Sequence, residues 1–203
     1  MKSVLVTGAN GLLGTNVVLE LLGRGYAVKG LVRSRRRFID YSHPQLELVT
    51  GDVRDVSSLQ AAVKGCDFIV HTAADTSQKH LRISDYDPVN FEGTKNILEL
   101  CRQEGIKRLV YIGTANTCGC GSLENPGDEQ SPPSHPFTHC LYALSKIKAG
   151  ELIEAAVSEG LDIVTLSPTF MIGPYDYKPS SGRIINMALN RKVVFYPPGG
   201  KNF

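Results

Sequence analysis

The sequence predicts an α/β fold, a doubly wound parallel sheet followed by a small, apparently truncated C-terminal region, and three observations predict it. Short β-branched runs alternate with longer amphipathic segments, the pattern of repeated strand–helix–strand units. Runs such as Phe68-Ile69-Val70 and Leu109-Val110-Tyr111-Ile112 are apolar throughout, as strands are when helices cover both faces of a sheet. The first run, Val4-Leu5-Val6, leads straight into a glycine-rich turn and a helical pattern.

In chain order the strands are expected at 2–7, 26–32, 46–50, 67–71, 108–113 and 162–167, with helices at 12–24, 56–64, 83–104 and 141–159. Residues 118–140 carry Gly119, Gly121, Pro126, Gly127, Pro132, Pro133 and Pro136, which makes them a long loop between a strand and a helix. Loops of that length in compact domains are usually functional. After Pro168 the periodicity weakens through Gly173-Pro174 and Pro179, one helix is expected near 182–191, and Pro197-Pro198-Gly199-Gly200 follows. The division is therefore a dinucleotide-binding domain at 1–167 and the start of a substrate-binding region at 168–203. Lys201-Asn202-Phe203 reads as the beginning of a further element, as in a fragment or a short gene product.

Composition bounds the function. Of 203 residues 42% are hydrophobic and 21% charged, an ordinary globular balance. The net charge of +2 gives no global basic field to recruit nucleic acid or anionic lipid. Val4-Leu5-Val6 is too short for a signal peptide or a membrane span, so a cytoplasmic location is expected. Cys66, Cys101, Cys118, Cys120 and Cys140 are odd in number and lack a two-residue spacing, which fits reduced thiols. Cys118 and Cys120 are separated by one residue, closer than a zinc pair with His135 and His139 needs, and no metal is expected.

The run Gly8-Ala9-Asn10-Gly11-Leu12-Leu13-Gly14 has the context of a phosphate loop, between a strand and a helix. Gly8 permits the tight turn, Gly11 lets the backbone approach a pyrophosphate, and Gly14 lets helix and strand pack closely. The helix N-terminus then offers free N–H groups and a positive dipole end to the phosphates. A site for NAD places a carboxylate at the end of the second strand, but here that strand ends Leu31-Val32-Arg33-Ser34. Arg33, reinforced by Arg35 to Arg37, suits a 2′-phosphate, so NADP is expected in preference to NAD. Asp52, with Val53, follows the third strand, where its carboxylate accepts a hydrogen bond from the adenine, caps the next helix, or does both. Thr72, Ala73 and Ala74 are small and let a cofactor lie against the backbone after the fourth strand, whereas His71 reads as a satisfied, partly buried histidine.

Tyr142 and Lys146 are four apart on the helix expected at 141–159 and share a face. That is a proton-donor arrangement. A tyrosine whose ordinary pKa is about 10 needs a shift of ~3 units to exchange protons freely near neutrality, and a lysine cation and an oxidised nicotinamide both push that way.

These motifs, with Asn90-Phe91-Glu92-Gly93-Thr94 and Pro168-Thr169-Phe170-Met171-Ile172-Gly173-Pro174, resemble the extended short-chain dehydrogenase/reductases, the group of NAD-dependent epimerase/dehydratases and dihydroflavonol-4-reductase-like enzymes. The resemblance implies a catalytic set of Thr114, Tyr142 and Lys146, with Thr114 orienting the substrate oxygen, Tyr142 acting as general acid, and Lys146 bonding the nicotinamide ribose. The usual serine-rich run after the fifth strand is here Gly113-Thr114-Ala115, which leaves Thr114 as the candidate hydroxyl. It further implies that Pro168, Thr169 and Met171 border the nicotinamide, that Asn90 supports the active-site side of the sheet, and that the two long helices form a homodimer surface. The expected function is reduction of a small or medium carbonyl compound with NADPH. A nucleotide-sugar epimerase or dehydratase uses the same residues, and a non-catalytic NADP(H)-binding sensor or partner subunit is the alternative outside catalysis.

Overall fold

A computed structural model of the chain describes residues 1–122, 124–177 and 181–189. Six strands, β1 (Ser3–Thr7), β2 (Ala27–Val32), β3 (Leu46–Thr50), β4 (Phe68–His71), β5 (Arg108–Ile112) and β6 (Ile163–Leu166), form one sheet in the order β3-β2-β1-β4-β5-β6. Every ladder is parallel, with Val6 opposite Gly30 on one side and Val70 on the other. The strand order reverses between β1 and β4. In open α/β sheets ligands bind beyond the carboxyl ends of the strands at such a reversal.

The helices are α1 (Leu12–Gly23), α2 (Val56–Val63), α3 (Glu92–Gln103), α4 (Leu141–Ser158) and α5 (Arg183–Leu189). Strand side chains alternate between two layers. Leu5, Ile69, Leu109 and Tyr111 face α2, α3 and α4, where they are buried with Leu59, Ile97 and Ile153. Val4, Val6, Val28 and Val32 face the other way and pack with Val18 and Leu22 of α1. Full burial of each such side chain contributes about 1.5–3 kcal/mol. On this second face the cover stops halfway, because Val164 and Leu166 of β6 remain 38% and 50% exposed. Phe68, Val70 and Val110 line an open groove of about 500 Å³ beside them.

Where the sequence predicts one helix over 83–104, the chain makes a 3-10 turn at Ile83–Asp85, a π-helical turn at Asp87–Phe91, and only then α3. Pro88 is the physical reason, since it has no N–H to give and its ring crowds the preceding turn. The cap of α2 also differs from expectation. Asp55, not Asp52, accepts the Ser57 N–H at 3.0 Å. The expected helix near 182–191 is α5, while residues 190 and 191 and the Gly199-Gly200 turn lie outside the described residues.

Candidate active site

The glycine loop leaves β1 at the strand reversal. Gly8 has φ +65°, and a Cβ there would lie 2.9 Å from the Ala73 backbone and from Thr72 Oγ1. A Cβ on Gly14 would lie 2.1 Å from the Gly8 carbonyl oxygen, so only glycine lets α1 begin this close to the loop. Gly11 is the exposed N-cap of α1; no side chain caps this end, and its first turn holds no acidic residue. Asn10, Leu12 and Leu13 surround it half-buried. N–H groups left free at a helix N-terminus favour an anion, so this cradle fits the phosphates of a dinucleotide. The loop after β4 closes against it, with Thr72 Oγ1 donating to Thr7 O (2.6 Å) and the Ala73 N–H to Thr7 Oγ1 (3.2 Å), and half-buried Ala74 next in line.

At the end of β2, Arg33 is exposed. Asp52 accepts Arg54 N–H and Nε on Oδ1 (both 3.0 Å) and Nη2 on Oδ2 (2.8 Å). That pairing, with Arg33 adding a smaller attraction, holds its carboxyl below the usual carboxylate range. In the sequence only its place two residues after Asp52 marks Arg54 as the partner. Val53 turns its side chain into the core, and its carbonyl accepts from Asn96 Nδ2 (3.0 Å).

The first turn of α4 carries Tyr142 and its second Lys146. Lys146 is 4% exposed; its Nζ donates to the Ile112 carbonyl at the end of β5 (2.8 Å) and lies 4.3 Å from the centre of the Tyr111 ring. Burial pushes its pKa down to about 7. Tyr142 departs from the expected lowering, because burial, with Cys140 and Tyr86 adding to it, pushes its pKa up to about 12. The lysine is drawn toward a carbonyl and a neighbouring ring, and it does not offset the desolvation of the phenol. Thr114 follows β5, is buried, and accepts the Asn116 N–H on Oγ1 (3.3 Å), which leaves its own proton to give. The Ala115 N–H donates to the Pro168 carbonyl (3.0 Å), and Asn16 Nδ2 on α1 donates to the Pro174 carbonyl (3.1 Å). These bonds stretch the 168–174 segment, with half-buried Met171 and exposed Thr169, from the Thr114 end of the site to the phosphate loop.

A buried polar chain joins the two halves, and of its members the sequence gives a role only to His71 and Asn90. His71, fully buried rather than partly so, sits with Nδ1 2.7 Å from Thr7 Oγ1 and Nε2 3.4 Å from Thr94 Oγ1. Thr94 spends its proton on the Asn90 carbonyl (2.7 Å), so His71 Nε2 carries a proton and Nδ1 accepts one from Thr7. Burial, with Lys146 nearby, pushes the imidazole pKa down to about 3 and keeps it neutral. Asn90 then accepts the Asp75 N–H (2.7 Å) and donates to Asp75 O (3.0 Å) and Ser145 Oγ (2.9 Å). Ser145 Oγ donates to the Tyr142 carbonyl (2.7 Å). Thr94 enters the sequence only as the end of the Asn90–Thr94 motif, and Thr7 and Ser145 carry no signal of a role in this chain, because each is a small hydroxyl in an ordinary element. Among the described residues no three of His, Cys, Asp and Glu gather as metal ligands, and no helix is long and apolar enough to cross a membrane.

A parallel sheet with a glycine loop at its strand reversal and a Tyr/Lys helix beside β5 defines a short-chain dehydrogenase/reductase of the extended type. The chain belongs to the NAD dependent epimerase/dehydratase family, whose model matches residues 4–194. It is 34% identical over 200 residues to a Synechocystis protein that carries a dihydroflavonol 4-reductase name, covering 97% of this chain and 57% of that one. A 3-beta-hydroxysteroid dehydrogenase of Mycolicibacterium neoaurum is 34% identical over 157 residues, covering 74% and 42%. The fold superposes on UDP-glucose 4-epimerase of Thermus thermophilus in complex with NAD with a TM-score of 0.77 and 28% identity, over 92% of this chain and 61% of that one. The chain thus spans about half the length of the curated relatives it matches.

Proposed function

We propose that the protein is an NADP(H)-dependent reductase of a small or medium carbonyl compound, with residues 1–167 as the dinucleotide-binding part and 168–203 as the start of the substrate region. The observation that carries the reading is the convergence of Thr114 and the buried Lys146 on the carboxyl end of β5, with Tyr142 one turn before Lys146 and held protonated. The bound dinucleotide supplies the hydride. Thr114 donates a hydrogen bond that orients the substrate oxygen, and Tyr142 gives that oxygen its proton. Burial keeps the phenol protonated throughout the neutral range, so it has a proton to give. Lys146 steadies the Ile112 carbonyl end of β5 and adds positive charge as it titrates near 7.

Oxidation of NADPH against a panel of carbonyl compounds tests the activity, and Tyr142→Phe lowers turnover by about 10²–10⁴-fold, the usual worth of a general acid, while NADPH still binds. Tight NADPH binding without turnover on any of them supports a sensor or partner subunit instead. NADP is preferred because Arg33 stands exposed where an NAD site needs a carboxylate and Arg54 occupies Asp52. Arg33→Asp therefore reverses the preference for NADPH over NADH in a fluorescence titration, and equal affinities of the unaltered protein for the two overturn the assignment. A second reading, a nucleotide-sugar epimerase, is favoured by the likeness to the Thermus UDP-glucose 4-epimerase and is tested with UDP-sugars in the same assay. A cytoplasmic homodimer through α3 and α4 belongs to the same reading, and light scattering of the purified protein tests its oligomeric part.

A further inference from the structure

The loop that leaves β4 carries a second imidazole that the proton transfer above does not use. His80 Nε2 lies 2.9 Å from Asp75 Oδ2. A carboxylate only accepts, so Nε2 bears a proton, and in the neutral ring Nδ1 then presents its lone pair, with no partner among the described residues. Asp75 is itself fixed. Its Oδ1 accepts the Ser77 N–H (2.9 Å), and both of its main-chain groups are bonded to Asn90. The His80 ring meets Tyr86 edge to face at 4.6 Å between centres, and Tyr86 lies 6.3 Å from Tyr142. Tyr86 is buried and its hydroxyl donates to the Ser77 carbonyl, so the surface His80 leans on is held as well. The side chains of His80 and Asp75 stay 27% and 29% exposed, in the loop that leaves the carboxyl end of β4.

An imidazole oriented by a carboxylate, with its other nitrogen free, has the geometry of a general base. The contact of His80 with Tyr86, and that of Tyr86 with Tyr142, place the pair one ring away from the phenol. We propose that His80, oriented by Asp75, is a second acid–base group of the Tyr142 site, and that the protein enolises ketones bearing a hydrogen on the carbon next to the carbonyl. His80 Nδ1 takes that proton, the C–H electron pair becomes a C=C bond, and the carbonyl pair moves to oxygen, which takes the proton of Tyr142. Return of both protons restores the ketone with no oxidant or reductant consumed, and deuterium enters at that carbon when His80 exchanges its proton with solvent before returning it. The inference rests on Tyr142 acting at the carbonyl oxygen and is independent of hydride transfer.

The test follows proton–deuterium exchange by NMR in D₂O, with cyclohexanone, acetophenone and the other ketones of the carbonyl panel, the purified protein and NADP⁺. Exchange beside the carbonyl is expected about 100-fold above buffer. His80→Gln keeps a hydrogen bond to Asp75 but has no basic nitrogen, and it removes that gain. Added imidazole restores part of the gain in His80→Ala, which a stapling role does not allow. Exchange without NADPH oxidation keeps this inference and overturns the reductase reading, whereas NADPH oxidation with exchange at the buffer rate overturns this inference alone. Exchange that survives in His80→Gln, or that is absent along with reduction, also overturns it.

Discussion

Lys146 carries a charge into the core at a measurable cost. Its folded pKa of about 7 lies below its ordinary 10.5, so between those values the unfolded chain binds more protons than the folded one, and stability rises with pH. Below about 7 the ammonium is buried and charged, and the cost is complete. Lys146→Met removes the effect, so the difference in melting temperature between variant and unaltered protein falls steadily from pH 7 to pH 10 in thermal denaturation. A difference that stays constant with pH removes Lys146 as its source. At this scale the sequence was legible in identity and not in environment. The Tyr142/Lys146 spacing placed both side chains on one helix, yet the sense of the tyrosine shift came out opposite. Periodicity carries no information on desolvation, and the Ile112 carbonyl and Tyr111 ring that hold the lysine stand some thirty residues away in the chain.

At the scale of elements, two glycines in helices make opposite demands. Gly14 faces the Gly8 carbonyl at a distance no Cβ tolerates, and Gly14→Ala costs about 3 kcal/mol through overpacking against backbone. Gly150 lies inside α4 with nothing within 4 Å of where a Cβ would stand, so Gly150→Ala stabilises by about 0.5–1 kcal/mol through helix propensity. Chemical denaturation of the two variants measures both, and a stable Gly14→Ala removes the close-packing account of the loop. Most elements were readable because apolar strands and punctuating glycines are local signals. The stretch 83–104 was not, since the helical pattern runs on past Pro88, and how far that proline interrupts it depends on the backbone around it. Asp52 likewise read as the cap of α2, but Asp55 holds the N-cap position and its carboxylate reaches the Ser57 N–H.

For the whole molecule, the alternation of short strands and amphipathic segments was enough to foresee a parallel sheet with helices on both faces, but not how unequally those faces are covered. Three helices lie on one side, while on the other α1 leaves β6 with half-exposed Val164 and Leu166, a difference that rests on packing rather than on any local pattern. The site, in turn, was legible as motifs and not as a connected object, because the chain Thr7–His71–Thr94–Asn90–Ser145 draws its members from two strands, a π-turn and two helices. Each group in its first part gives one proton and takes one, so the run has a direction fixed by the neutral His71.

That direction reaches into a segment without regular structure. The amides of Ala73 and Asp75 stand in the loop after β4, yet one is spent on Thr7 and the other on Asn90, both buried. Solvent meets such amides only when the surrounding structure opens. In hydrogen–deuterium exchange by NMR they are therefore expected to keep their protons as long as those of β1 and β4, while neighbouring exposed positions such as Thr76 and Gln78 lose theirs early. The loop that frames the reacting centre would then share the lifetime of the sheet, and its stiffness would belong to the fold before any ligand arrives.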